Sequence, residues 1–157
     1  MLEYKLFRGR LSQAIEDEFR EIGYLAYTES VFCDLIGFDA EKLVATAQSY
    51  AVQGSKVLFV CRDGARVAGI FAGYYKPWYF SDESIARDVL WYVREEYRDA
   101  GVGLVLLSMF EQWAGDCGAK AIWLGQDSGI DTDKFSGVLK KRGYSFIGSN
   151  YSLKVGK

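Results

Sequence analysis

In the stretch WYVREEYRDAGVGLVLLSMFEQWA, residues 91–114, Gly101 and Gly103 fall within three positions, between an apolar run and an amphipathic segment. A strand that ends just before a helix leaves the first N–H groups of that helix without intrahelical acceptors, and such groups attract anions. Glycine removes the side chains that would keep a ligand off the backbone. The chemistry on offer is phosphate binding by main-chain amides, although a plain tight turn would use the same two glycines. Two common phosphate motifs do not fit. A nucleotide-triphosphate loop ends in Gly-Lys-Ser/Thr, whereas Gly103 precedes Leu104 and Val105, and a dinucleotide fingerprint needs a third glycine where Leu106 stands.

Composition removes other chemistry. The 157 residues include no histidine, which excludes imidazole metal ligands and every nucleophile system built on a histidine base, so no metal site is expected. Cys33, Cys61 and Cys117 are odd in number and far apart beside apolar neighbours, and they read as reduced, partly buried thiols. A net charge of -2 without a basic stripe argues against a nucleic-acid partner and suits a cationic or amine-bearing one. No run approaches the roughly 18 apolar residues of a membrane helix. The segment MLEYKLFRGR lacks an export signal's apolar core and cleavage site, so a cytoplasmic protein with no membrane partner is expected.

The elements that must position the glycine loop follow from periodicity. The length suits one domain spanning 1–157. Ser12 stands before Ile15, Phe19 and Ile22 at helical spacing, and Asp39 before a second helix that presents Leu43, Val44, Ala47, Tyr50 and Ala51 on one face and stops at Gly54. Residues 23–38 between them are ambiguous. Asp63-Gly64 between two apolar runs predicts an antiparallel hairpin. After the aromatic loop around Pro77, DVLWYV reads as a central strand covered on both faces. Val102, Val105, Leu106, Met109, Phe110 and Trp113 then define one face of a helix. KAIWLGQ predicts a strand parallel to DVLWYV, reached through that helix. A last helix is capped by Asp131 or Thr132, has Phe135, Val138 and Leu139 inward, and closes at Gly143; YSFIGSNYSLKV supplies one or two terminal strands.

The run Arg98-Asp99-Ala100-Gly101-Val102-Gly103 has the form Arg/Gln-x-x-Gly-x-Gly/Ala after a strand and before a helix. It resembles the acyl-CoA loop of the GNAT acetyltransferase superfamily, and the element order is similar to that fold. The likeness is nearest to small GNAT-like proteins of tailed bacteriophages, over residues 57–154, which would place the protein in a host cytoplasm. The resemblance implies an α/β protein with a mixed, largely antiparallel sheet, a central splayed parallel strand pair and flanking helices. It implies acetyl-CoA as cofactor and transfer of an acetyl group to a primary amine of a small molecule or protein. The pantetheine arm would run along the backbone of Leu90, Trp91, Tyr92 and Val93. The diphosphate would rest on the N–H groups of Asp99, Ala100, Gly101, Val102, Gly103 and Leu104, with Arg98 flanking it.

An amine near its free pKa of about 10 must lose a proton before it attacks a thioester. The resemblance points to Asp88 as the acidic group that takes it, with Glu83 in reserve; strand-end or ion-pair roles would explain both equally. Many relatives protonate the departing thiolate with a last-helix tyrosine, but Leu139 occupies that position here, leaving Tyr144 or Tyr151 as substitutes. A family protein that binds CoA without turnover, serving as a phage accessory or virion interaction protein, is therefore the alternative. The loop from Tyr74 to Phe80 would shape the acceptor side or form a homodimer contact, and Asp127, Asp131 and Asp133 would attract a cationic acceptor.

Overall fold

The structure, a computed structural model, describes residues 1–155. Its sheet grows from the hairpin of β2 (Lys56–Asp63) and β3 (Arg66–Pro77). Asp63 pairs with Arg66, so the central turn residues are Gly64 and Ala65, one step beyond the Asp-Gly pair. Gly64 carries the positive φ of +58° that this tight turn needs. Along β2, Val57, Phe59 and Cys61 face one layer and Leu58 and Val60 the other, and all five are buried. Such a sheet needs cover on both faces.

On one face lie α1 (Gln13–Glu29) and α2 (Ala40–Val52), whose Ile15, Phe19, Ile22, Tyr50 and Ala51 pack against Leu58, Val60 and Ile70. The predicted cap of α2 is made: Asp39 Oδ1 accepts the Lys42 N–H at 3.0 Å. The ambiguous residues 23–38 complete α1 and form a short 3-10 turn at Val31–Asp34. On the other face lie α3 (Val102–Asp116) and α4 (Thr132–Lys141), which bring Val102, Leu106, Phe110 and Leu139 onto Phe71 and Phe59. The inner face of α3 is rotated from the expected one. Leu107 and Ala114 are buried while Val105 is exposed, because spacing locates a stripe but neighbouring elements decide which flank is covered.

The strand order is β1-β2-β3-β4-β5, with β1 (Leu2–Leu6), β4 (Ser84–Val93) and β5 (Ala121–Trp123) completing the sheet. β1 pairs antiparallel with β2, a strand that its half-polar sequence LEYKL did not announce. β4 is antiparallel to β3 and parallel to β5, giving the mixed α/β sheet expected. The parallel pair stands at the sheet's edge instead of its centre. Residues 144–155, read from sequence as terminal strands, form none, and Phe146, Ile147, Tyr151, Leu153 and Val155 are exposed. A β-like composition does not supply a hydrogen-bonding partner; this tail is tied instead by Asn150 to Asp127 at 2.5 Å and by Lys154 to the Asp34 carbonyl at 2.9 Å.

β4 contains the irregularity that matters. Gly73 stands opposite Asp88 and Ala72 opposite Leu90, so Val89 is an extra, bulged residue and is exposed where the sequence predicts burial. Gly73 is required there, since a Cβ would run into the Phe110 ring and lie 2.7 Å from the Arg87 carbonyl oxygen. Among the described residues no helix is long and apolar enough to cross a membrane.

Candidate active site

Pairing between β4 and β5 stops at Arg87 and Trp123, two residues before the bulged Val89, and the two segments then part. Asp88 sits at this fork. Its Oδ1 accepts the Gly125 N–H at 3.0 Å, so a side chain bridges the strands just where their ladder ends. Burial pushes the Asp88 carboxyl up from 3.8 to about 6, against the opposing pull of the Gly125 and Asp88 N–H groups and of Arg87.

Beyond the fork opens a cleft of about 490 Å³. β4 forms one wall and residues 125–131 the other, Phe135 and Val138 of α4 line it, and the glycine loop closes its far end. From Asp88 to Val93 the strand runs about 17 Å, so the carboxyl and the loop stand at opposite ends. The Arg94 N–H donates to the Ala68 carbonyl on β3 at 3.0 Å; by alternation the main-chain groups of Trp91 and Val93 point the other way, into the cleft.

The glycine loop follows a 3-10 turn at Glu95–Ala100. Gly101 adopts φ +76°, which reverses the chain direction at the start of α3. The N–H groups of Val102 and Gly103 lie in the first turn, where no intrahelical acceptor exists. The Leu104 N–H is already turned back onto the Gly101 carbonyl at 3.1 Å. Gly103 lies against the indole of Trp91, and an added Cβ would sit 3.4 Å from Nε1. Of the expected cofactor residues, Leu90, Trp91, Tyr92, Val93, Arg98, Gly101, Gly103 and Leu104 line the cleft. Asp99 and Ala100 are exposed outside it, and the Val102 side chain belongs to the core.

Arg98 is not a free flanking cation. Its Nε donates to the Val93 carbonyl at 2.9 Å, its Nη2 pairs with Glu29 at the end of α1, and its guanidinium lies 5.5 Å from the Tyr92 ring centre. The Tyr92 hydroxyl donates to the same Glu29 carboxylate; burial first, and then that carboxylate, hold the Tyr92 hydroxyl well above its usual range. Glu29 thus braces two cleft residues from behind and has no sequence signal, since its partners are more than sixty positions away. Arg87 also lines the cleft, with its guanidinium 5.9 Å from the Trp123 ring centre and its Nε buried without a partner.

Neither Glu83 nor Tyr144 lines the cleft, although the Asp88 charge reaches the Tyr144 hydroxyl. Glu83 is exposed in the loop before β4, 3.9 Å from Lys120, and does not line the cleft. Tyr144 donates to Glu111 on α3 at 3.0 Å, and burial with Glu111 raises its hydroxyl pKa. It faces a second hollow of about 930 Å³ between α3, α4, β5 and the tail, which Leu139 also lines. Trp78 packs on Trp123 at 4.7 Å between ring centres while Tyr79 and Phe80 are exposed, so the aromatic loop flanks the sheet edge outside the cleft. Asp127 and Asp131 line the cleft, Asp133 does not, and Asp131 takes a left-handed φ of +46° without capping α4 through its side chain.

A parallel pair that parts at Asp88, a bulged strand and a helix start with bare amides frame this one cleft. The sequence profile of the acetyltransferase (GNAT) family matches residues 13–135, and the chain belongs to that family. No curated protein sequence matches it. Among solved structures it is similar to an acetyltransferase of Trypanosoma brucei, with TM-score 0.72 and 15% identity over 99% of this chain and 100% of that one. It is similar to a ribosomal-protein-alanine N-acetyltransferase from Brucella melitensis biovar Abortus, with TM-score 0.69 and 13% identity over 99% and 100%. Aminoglycoside N-acetyltransferase AAC(6')-Iy in complex with CoA gives TM-score 0.71 and 11% identity over 100% and 95%. At these identities the likeness is one of fold. The family uses acetyl-CoA, and this chain's residues fit it: two unpaired amides with glycines beneath them at one end, and inward main-chain groups along the wall.

Proposed function

We propose that this protein is an acetyl-CoA-dependent N-acetyltransferase acting on a primary amine of a small molecule or a protein. Acetyl-CoA would supply the acetyl thioester, whose carbonyl carbon forms the new C–N bond as the C–S bond breaks. Val102 and Gly103 would hold the diphosphate through their N–H groups. Trp91 and the N–H of Val93 would hold the pantetheine amides as a missing strand would; the Val93 carbonyl is already occupied by Arg98. Asp88, ionised above about pH 6, accepts a proton from the acceptor's ammonium, directly or through a water, and so generates the neutral amine that attacks. Asp127 and Asp131 draw a cationic acceptor to the same cleft.

The observation that carries this reading is Asp88 itself, a carboxyl partly withdrawn from water at the fork of a cleft whose far end presents free helix amides. Two measurements test it. A ligand at 100 times its dissociation constant stabilises the native state by about 2.7 kcal/mol, so acetyl-CoA should raise the melting temperature clearly. Thiol release across a panel of amines should then be lost in Asp88→Asn. No melting shift, or full turnover in that variant, overturns the reading.

One observation favours a second reading, a phage-borne accessory or virion interaction protein that binds CoA without turnover. Leu139 is buried in the core and the Tyr144 hydroxyl is bonded to Glu111, so neither offers the cleft an acid for the departing thiolate. A melting shift without thiol release for any amine would select it.

A further inference from the structure

The bound cofactor would bring several negative charges into a cleft that is itself acidic, with Asp88, Asp127 and Asp131 on its walls. Three cationic side chains line that cleft among the described residues: Arg87, Arg98 and Lys134. Arg87 is at the fork, stacked towards Trp123, at the end opposite the loop. Arg98 is clamped between the Val93 carbonyl, Glu29 and the Tyr92 ring. Lys134 remains. It lies in the first turn of α4, where a positive charge opposes the helix dipole, so the helix gains nothing from it. Its Nζ lies 3.7 Å from Asp99 Oδ1, and Asp99 is fully exposed two residues before Gly101. An ion pair this exposed is worth little and is readily exchanged.

We infer that Lys134, rather than Arg98, is the side-chain cation for the cofactor's diphosphate, and that Asp99 holds its ammonium beside the glycine loop until the phosphates replace it. This rests on the cofactor reading above. The pair is a simple exchange: Nζ leaves one carboxylate for the phosphate oxygens gathered by the Val102 and Gly103 amides. Asp99, left behind at the mouth, repels the same phosphates, so it both stores the lysine in place and weakens binding.

The test is equilibrium binding of CoA and of dephospho-CoA, which keeps the diphosphate and lacks the 3′-phosphate, followed by calorimetry. Lys134→Gln should weaken both ligands about tenfold and flatten the salt dependence, as loss of one charge-assisted contact predicts. Lys134→Arg should restore most of the affinity, and Asp99→Asn should tighten binding about threefold, and by less in the Lys134→Gln background, where only the direct repulsion of the phosphates is removed. Equal affinities for wild type and Lys134→Gln overturn the inference. So does a loss confined to CoA, which would assign Lys134 to the 3′-phosphate. A wild type that binds neither ligand refutes the cofactor reading, and this inference falls with it.

Discussion

Replacing Asp88 by asparagine should make the protein more stable at neutral pH while removing its turnover. The carboxyl titrates at about 6 in the folded chain against 3.8 ordinarily, so the folded state binds this proton more tightly than the unfolded state does. The stability it contributes is full below 3.8 and is lost as pH rises through about 6, so that at pH 7.5 ionised Asp88 costs about 3 kcal/mol. Asparagine has no charge to bury, and its Oδ1 can still accept the Gly125 N–H, though more weakly than a carboxylate. A net gain of about 2 kcal/mol at pH 7.5 is expected, or about 4–8 °C in melting temperature for a chain of this size. The gain should shrink towards zero as pH is lowered to 4. Paired melting curves of wild type and Asp88→Asn across pH 4–8 measure it, beside thiol release at the same pH values. In the wild type, turnover should rise with pH through about 6, as ionisation of the base requires. A variant that is less stable at pH 7.5 than at pH 4, relative to wild type, would refute the account of Asp88 as a strained, partly desolvated acid.

The remaining predictions concern what holds the site in shape. Gly103→Ala should bind CoA within a few-fold of wild type, because its Cβ meets Trp91 at 3.4 Å, whereas Gly103→Val should weaken binding more than tenfold by driving the indole into the cleft. Gly101→Val should lower stability by about 1 kcal/mol or more and weaken CoA binding, since φ is +76° there; calorimetry with and without CoA reads both. Gly73→Ala should destabilise the fold by about 2 kcal/mol or more in chemical denaturation, because the new methyl meets Phe110 and the Arg87 carbonyl at once. Tyr144→Phe should leave thiol release unchanged and cost about 1 kcal/mol of stability through the lost bond to Glu111.

Much of the scaffold was legible because its signals are local. Asp39 caps α2 through a residue three positions on, Gly64 turns the hairpin within two residues, and Gly101 and Gly103 act on amides of their own helix. β1 was not legible, since LEYKL becomes a strand only when β2 offers a free edge, and residues 144–155 pair with no strand despite their composition. Within the site, the loop and the acidic residue at the strand start were visible as types in order. Which of them share the cleft was not: Glu83, the reserve base, faces solvent, and Tyr144, a substitute acid, is bonded to Glu111, while Asp88 lines the cleft.

The order of residues alone therefore determined where the backbone turns, where a helix begins with bare amides, and that no imidazole chemistry is available, because each depends on atoms a few bonds apart or on composition. Only the tertiary structure decided that Asp88 is partly desolvated at a fork, that Arg98 is spent on Glu29, and that Lys134 stands next to Asp99. Those outcomes depend on how far water is excluded and on which distant charges come within a few ångströms, and both are set by how the sheet opens and where α1 and α4 pack.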